Sequence, residues 1–378
     1  MTSIGQIVKN TKSEEAAKAK QNLIGIVEKI NPVLDKYFNS EIRESFGVSK
    51  RQKALSRLLW EHIKEHNLRP AKRLRASFVY YGYKLFGGRN ENAILEAASG
   101  IELIHTALLM HDDFMDQDKT RRGRPTTQEY FRQLHKTLCW KGSAAHFGES
   151  MAVDVGDVAL MAGFEILGWA KFDAIKKLKA QNQLLRGIIN TGLGQAFDIS
   201  LEVEAKATEK DVLDLHWAKT AVYTYQTPLL TGAILAGAKE KDLVLLVEYA
   251  KYGGVAFQLQ DDILGCFGDE EKTGKAADSD LREGKMTLLY IKAKEKAEKT
   301  QAKELEELWG RSDMSSKQAR RLREIIMDTG SLEYSKNVSR AWAAKAKKVA
   351  GKMLTKGWNK EAVEYLAGIA QYMVERDM

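Results

Sequence analysis

Residues 103–126 read LIHTALLMHDDFMDQDKTRRGRPT, an apolar run that ends in a dense charged segment. Asp112 and Asp116 are four apart, so on a helix they leave from one face, with Asp113 beside them. Three carboxylates this close repel one another, and a folded protein tolerates that when a cation sits among them. Carboxylate oxygens are hard ligands and favour Mg²⁺ over zinc. Mg²⁺ keeps several waters and is held by one or two carboxylates together with substrate phosphates. An acidic helix end facing water fits this stretch, taken alone, equally well.

A second stretch breaks the tie. Residues 257–287, FQLQDDILGCFGDEEKTGKAADSDLREGKMT, again place an Asp pair, Asp261-Asp262, toward the end of an apolar helix. Asp269 follows after a glycine turn, and Lys272, Lys275, Arg282 and Lys285 come next. The first cluster is likewise followed by Lys119, Arg121 and Arg122. Acid for a metal and then base for phosphate, twice in one chain, predicts two motifs facing each other across a cavity that holds a diphosphate.

Outward from these motifs, apolar residues recur at helical spacing almost everywhere. The pattern predicts helices over 15–45 (bent near Pro32), 50–66, 71–86, 92–118, 149–168 and 172–200. Further helices are predicted over 208–237 (broken near Pro228), 241–267, 285–309, 315–329, 331–356 and 358–376. Stop signals lie at Gly87-Gly88, Arg122-Gly123-Arg124-Pro125, Gly142-Ser143 and Gly330-Ser331. The 378 residues contain 4 prolines, about 1% against a usual ~5%, which argues against a turn-rich all-β fold. Residues 1–14 read as a loose tail, and no linker divides the rest. One large all-α domain over 15–378 is the expectation.

Two cysteines, Cys139 and Cys266, make neither a disulfide framework nor a four-Cys zinc site, so the compartment is expected to be reducing. The N-terminus lacks the apolar core of a signal peptide, and no run reaches the ~18 apolar residues of a membrane span. A cytoplasmic protein without a membrane span follows as the expectation. A net charge of +8 suits phosphorylated substrates, nucleic acid or an anionic surface, and also a plainly solvated basic exterior.

With both acidic motifs in view, the sequence resembles the trans-polyprenyl diphosphate synthases, the family of farnesyl and geranylgeranyl diphosphate synthases. The first aspartate-rich motif stands as Asp112-Asp113-Phe114-Met115-Asp116 with Arg121-Arg122, and the second as Gln258-Leu259-Gln260-Asp261-Asp262 with Gly268-Asp269 and Gly274-Lys275. The basic segment before the first motif is Lys72-Arg73-Leu74-Arg75, and the upstream histidine is His105. His146-Phe147-Gly148-Glu149-Ser150, Gly194-Gln195-Ala196-Phe197-Asp198 and Lys219-Thr220, with Tyr223 and Pro228 in register, fall in family order between them.

The resemblance implies a helical bundle around a deep central cavity, a homodimer, and three Mg²⁺ per active site. It implies that an allylic prenyl diphosphate ionises and that isopentenyl diphosphate attacks the carbocation, so the partners are two small diphosphates and not nucleic acid. Asp112, Asp116 and Asp261 would be the main metal ligands, with Asp113 and Asp262 ligating directly or holding metal waters. Arg121, Lys219, Thr220, Gln258 and Lys275 would bind the allylic diphosphate; Lys72, Arg75, His105 and Arg122 would bind isopentenyl diphosphate. Asp112, Asp116, Lys219 and Asp261 would carry the ionisation step.

Residue by residue, Lys219 sits among Trp217, Ala218, Ala221 and Val222, where an unpaired lysine would be costly, which favours a ligand role. Arg73 and Lys272 read as solvated, His146 and Ser150 as packing near the cavity, and Cys266 as a small apolar filler. Arg376, near the C-terminus, is within possible reach of the isopentenyl diphosphate.

The chain departs from the family pattern at Pro70-Ala71, Ala76, Gln128 and Gly265, the last standing where the second motif often has a third Asp. A class I terpene cyclase would want Asn or Asp, then Ser or Thr, then Glu where Asp262, Gly265 and Asp269 stand, and would not use the cationic set Lys72, Arg75 and Arg122. An inactive regulatory paralogue would be expected to lose its Asp clusters. The resemblance also implies that the growing tail runs beside the helix of the first motif, so that product length follows the residues below Asp112: Leu108 and Ala107 one turn down, Ile104 a turn further. None is an aromatic floor, so a product of twenty carbons or longer is expected, with a farnesyl product as the alternative.

Overall fold

The structure, a computed structural model, describes residues 13–268 and 278–376. Within them are sixteen α-helices, one π-helical segment and one two-stranded hairpin, so the chain has the all-α class the periodicity predicted. Residues 1–12 of the expected tail lie outside the described residues; Ser13 and Glu14 belong to the start of the first helix, where Ser13 Oγ accepts from the Ala16 amide. The chain forms two compact units, one of residues 23–80 and 88–181, the other of 13–22, 81–87 and 182 onward.

The first unit is built from most of α1 (Glu14–Glu44), then α2 (Lys50–Leu68), α3 (Leu74–Leu85), α4 (Glu91–Met115), a hairpin, α5 (Thr127–Thr137) and α6 (Ala144–Trp169). Side-chain caps start these helices: Ser49 and Gln52 form a capping box at α2, and Asn90 and Ser143 accept the amides of Ala93 and His146. The hairpin pairs Thr120 with Pro125 and Arg121 with Arg124. It and α5 are absent from the sequence-based helix list. The hairpin is only two residues per strand, too short for a periodicity scan, whereas α5 is short but amphipathic and its period was missed among its many polar residues.

Helix α4 is the core of this unit. By composition it is long enough and apolar enough to cross a membrane, against the expectation that no segment would be. Most of its apolar stretch, 78%, is buried inside the protein, which is what a core helix needs. It lies against α6 at unusually short range: a Cβ on Gly100 would come within 2.5 Å of the Gly163 carbonyl oxygen, and one on Gly163 within 2.5 Å of Ile104.

The second unit continues along α7 (Ala174–Glu204) into α8 (Glu209–Leu215), then the π-helical segment His216–Gln226 and α9 (Thr227–Ala236). Pro228 stands in the first turn of α9, where its missing N–H costs least and where the wider π ladder gives way to ordinary helix. α10 (Glu240–Phe267) follows, and beyond it α11 (Ser279–Glu283), α12 (Leu288–Lys296), α13 (Lys299–Leu308), α14 (Ser316–Asp328), α15 (Ser331–Thr355) and α16 (Lys360–Glu375). The predicted helix 285–309 divides between α12 and α13. Glu298 caps the second piece with Gln301, and local capping wins over continuity.

The π segment packs along α10 through two glycines. A Cβ on Gly254 would meet the Ala221 Cβ at 2.3 Å, and one on Gly253 would meet the Tyr225 ring at 2.9 Å. Gly254→Ala should therefore cost about 1–3 kcal/mol in a denaturant titration, as overpacking does. Gly25→Ala, at a position of α1 with nothing within 4 Å of the added methyl, should be neutral or slightly stabilising. Equal effects of the two changes would contradict this packing.

Candidate active site

In the first unit, α4 delivers the first acidic motif at its C-terminal end. Asp112 and Asp116 keep some exposure, while Asp113 points inward and is fully buried. Its partner is Arg121, whose guanidinium donates to Asp113 and also lies 3.2 Å from Asp118 and 3.8 Å from Asp112. His66 Nε2, from α2, stands 3.8 Å from the other Asp113 oxygen. Burial works against ionisation of Asp113, but His66 and the Arg121 charge more than offset it and hold its carboxyl below the usual range. Arg121, expected to hold a diphosphate, has its guanidinium on Asp113, and Asp113, expected among the metal ligands, is buried against it. Gln128, where the family often has His, donates to the carbonyls of Asp113 and Asp118 and ties down the same turn.

Near this end of α4 lies a concentration of positive charge. Arg75 and Arg122 are half-buried, Arg73 is buried and Lys72 is exposed. Arg73 was expected in solvent. It donates to Asn31 Oδ1 and the Asn67 carbonyl and pairs with Glu102 at 3.4 Å. Its backbone φ of 51° and that of Arg122, 55°, lie in the left-handed region, where a side chain costs energy. Burial, then the charges of Arg75, Arg122, Arg121 and Arg73, hold the His105 imidazole well below its usual range, so it is neutral. Burial and then the Arg73 charge push the Arg122 guanidinium down to about 10. Cations crowded until they depress one another form a field that an anion would relieve, and Lys72 and Arg73 also precede the N-terminus of α3.

The chain-length positions separate. Leu108 retains exposed surface, while Ala107 and Ile104 are fully buried. Ile104 fills the close approach at Gly163. On the face expected to line a tunnel, Ile104 is thus packed against the opposite helix. His146 and Ser150, expected to pack, are both exposed. The glycine between them explains the motif: a Cβ on Gly148 would strike the Gln128 carbonyl of α5 at 2.3 Å.

In the second unit, the π segment and α10 run antiparallel and exchange side chains in sequence. Thr220 Oγ1 donates to Gln258 Oε1 at 2.8 Å, and Gln258 Nε2 donates to Asp262 Oδ1 at 2.8 Å. His216 Nε2 stands 3.0 Å from Asp262 Oδ2. Asp262 is buried, so this second inner aspartate is again held by protein groups, and Gln258 is held between Thr220 and Asp262. His216 was not anticipated; its spacing of four before Thr220 was the available signal. Asp261 faces outward, and one of its oxygens pairs with Arg376 Nη2 at 2.7 Å.

Lys219 has a partner after all, Asp198 Oδ2 at 2.6 Å. The Gly-Gln-x-x-Asp motif accounts for the pair: a Cβ on Gly194 would meet the Lys219 backbone at 2.8 Å, and Asp198 follows one turn later on α7. Gly265, the missing third Asp, is also explained, because a Cβ there would fall 2.1 Å from Asp280 Oδ2. Cys266 is fully buried, as a small filler should be. Asp269, Lys272, Gly274 and Lys275 lie outside the described residues.

Three carboxylates, Asp112, Asp116 and Asp261, thus keep some outward surface. Among the described residues, no three His, Cys, Asp or Glu side chains converge closely enough to bind a metal unaided.

Comparison with known proteins follows the same line. The polyprenyl synthetase family matches residues 58–326. The chain is 34% identical to a geranylgeranyl diphosphate synthase of Sulfolobus acidocaldarius over 71% of its own length and 76% of the relative's. It is 31% identical to a geranylfarnesyl diphosphate synthase of Aeropyrum pernix over 81% of this chain and 90% of that one. Among solved structures, the geranylgeranyl pyrophosphate synthase of Corynebacterium glutamicum, complexed with isoprenyl diphosphate and magnesium, superposes with a TM-score of 0.86 at 26% identity, covering 93% of this chain and 99% of that one.

The Asp113–Arg121 pair has a measurable signature. A carboxyl depressed in the folded state stabilises the fold fully at neutral pH, and the contribution is lost as pH falls from the ordinary carboxylate range through the depressed value. Asp113→Asn should cost about 3–5 kcal/mol at neutral pH, as breaking a buried pair does, and less as the medium is acidified. A wild-type-to-variant gap in urea stability that stays constant down to about pH 3 would contradict the assignment.

Proposed function

This chain belongs to the polyprenyl synthetase family and is a chain-elongating prenyltransferase, and from that premise we propose that it condenses isopentenyl diphosphate with an allylic diphosphate to give products of twenty carbons or more. The observation that carries the substrate assignment is the crowded cationic cluster around His105, with Arg122 depressed to about 10. Such a field suits a dense anion, and a diphosphate is one. Arg75 and Arg122 would grip the isopentenyl diphosphate, with neutral His105 as a hydrogen-bonding partner and Lys72 at the rim. Lys219, poised by Asp198, would meet the allylic diphosphate together with Thr220 and Lys275. Asp198 fixes the ammonium without cancelling its reach, since 23% of the lysine side chain remains exposed.

Asp112, Asp116 and Asp261 have the hard oxygens and outward surface a divalent cation requires, and Mg²⁺ is the ion they suit. When bound, Mg²⁺ supplies fixed positive charge for a departing pyrophosphate; the proposed count of three ions rests on the family resemblance. Asp113 and Asp262 would act from behind, holding the outer carboxylates in place. Arg376 would have to share or release Asp261 for that carboxylate to meet a cation.

The protein is proposed to work as a homodimer. Along α7, Leu185, Ile189, Leu193 and Phe197 form an exposed apolar stripe, with Leu193 at 66% exposure. A cytoplasmic location is proposed on the two cysteines, which are both free.

Purified protein given isopentenyl diphosphate, farnesyl diphosphate and Mg²⁺ should yield a prenyl diphosphate of twenty carbons or longer, and none in excess EDTA. Leu108→Phe should shorten the product, because Leu108 is the one chain-length position with accessible surface. A wild type that leaves farnesyl diphosphate unelongated would refute the length assignment. For the dimer, sedimentation should show two chains for the wild type and one for Ile189→Lys/Leu193→Glu; a monomeric wild type would refute it.

A further inference from the structure

The ladder between the π segment and α10 ends on a residue to which the reaction has not yet given a part. Its rungs are His216 with Asp262, and Thr220 with Gln258. Four residues separate the two members on each side, and the segments run in opposite directions, so each rung lies one turn from the next. The hydrogen bonds have a fixed sense. Thr220 donates to Gln258, which orients its amide so that the nitrogen donates to Asp262. One Asp262 oxygen is thereby used, and Nε2 of His216 stands 3.0 Å from the other. That is an ion-pair distance, and among the described residues this second oxygen has no hydrogen bond of its own. His216 is 5% exposed, and its Nδ1 is buried without a hydrogen-bond partner. A buried imidazole with one unsatisfied nitrogen is a cost to the fold. Packing alone would be served as well by Phe or Leu.

We propose that His216 is a positioning residue for the second aspartate pair. It holds the inner carboxylate, Asp262, so that its neighbour Asp261 is presented outward, and it registers the π segment against α10 so that Lys219 and Thr220 stand at a fixed height. The first unit offers the same arrangement independently: Asp113 is buried, held by Arg121, and faced by a buried histidine, His66. Each acidic motif thus has one aspartate turned to the protein and one turned out. The wider π helix suits the task, since short π stretches inside helices recur at functional sites and here eleven residues adopt that winding. In this arrangement Asp262 contributes a fixed negative charge behind Asp261 without being a ligand itself. Loss of such a support for a metal-ligating group weakens cation binding by about 10–100-fold.

The proposal rests on the prenyltransferase reading, because the binding it invokes is that of Mg²⁺ and a diphosphate. The test compares two amides that differ only in reach. Gln at 216 places its nitrogen near the position of Nε2; Asn places its nitrogen near Nδ1. Calorimetric titration with inorganic pyrophosphate in MgCl₂ should show His216→Gln within a few-fold of wild type and His216→Asn weakened about 10–100-fold. In an Asp262→Asn background the His216→Asn change should add less than about twofold, because its route is through Asp262. Thermal melting of both variants should fall together, so that a difference in binding is not a difference in folding. Equal binding by wild type and His216→Asn overturns the assignment, as does equal loss in Gln and Asn, or full multiplicative loss in the double variant. A wild type with no Mg²⁺-dependent pyrophosphate binding removes the functional reading itself, and the proposal falls with it.

Discussion

The arrangement of both acidic motifs depends on burying one carboxylate of each pair. A carboxylate leaves water at a cost of several kcal/mol and remains charged only where donors replace the lost hydration. Asp113 has Arg121, and Asp262 has Gln258 on one oxygen with His216 3.0 Å from the other. Once those groups are fixed, the remaining geometry follows from the helix. Asp112 and Asp261, each one residue earlier, are rotated by about 100°, and that rotation carries them toward the exterior. Asp116, a turn beyond Asp112, shares its face. The sequence of two or three adjacent acids, which repels itself if all are exposed together, is stable because its members are sorted into different surroundings.

Close helix approach is the second constraint. Gly100 with Gly163, Gly148 with Gln128, Gly194 with Lys219 and Gly254 with Ala221 are all positions where a methyl group would enter another backbone or side chain. The functional consequence is clearest at Gly194. Because α7 can pass against the backbone of Lys219, the carboxylate one turn further along α7 reaches the ammonium at 2.6 Å. At Gly265 the same logic explains a departure from the family pattern. The space in which a third aspartate would begin is already occupied by the carboxylate of Asp280. An aspartate there would place two acidic groups in one volume.

Much of this was legible beforehand, and the reasons are physical. Helix class and most helix positions follow from the 3.6-residue period, which long amphipathic helices carry redundantly. The acid-then-base pattern marked the right helix ends. Pairwise commitments were not legible. Nothing in the local sequence assigns Arg121 to Asp113 rather than to a phosphate, because one guanidinium satisfies either. Lys219 was read as an unpaired cation because its partner, Asp198, is distant in sequence, and Arg73 was read as solvated because a lone Arg in a basic segment gives no sign that Asn31 and Glu102 await it. His216 was overlooked for a different reason. Its role depends on π winding, and a periodicity scan tuned to 3.6 residues does not register a wider turn. Ile104 lies on the expected helix face, and its packing against a glycine of the helix opposite was not legible either.

The left-handed backbone at Arg73 and Arg122 adds a last step. Non-glycine residues avoid this region because the Cβ crowds the backbone, at roughly 1–2 kcal/mol each. Glycine at either position would relieve the strain but remove the guanidinium, so the conformation and the charge are retained together. Arg73 is fastened by Asn31, Asn67 and Glu102, a set of contacts that fixes its backbone as well as its side chain. Among the described residues Arg122 has a single long contact, to the Arg69 carbonyl at 3.5 Å, and its guanidinium is depressed to about 10 by burial and by Arg73. One arginine is therefore spent on structure, and its charge bears on the other. A diphosphate beside Arg122 would offset the repulsion from Arg73, but not burial, the larger cause of the depression. In this account the crowding of charge opposes the cluster when it is empty and is eased when an anion is present.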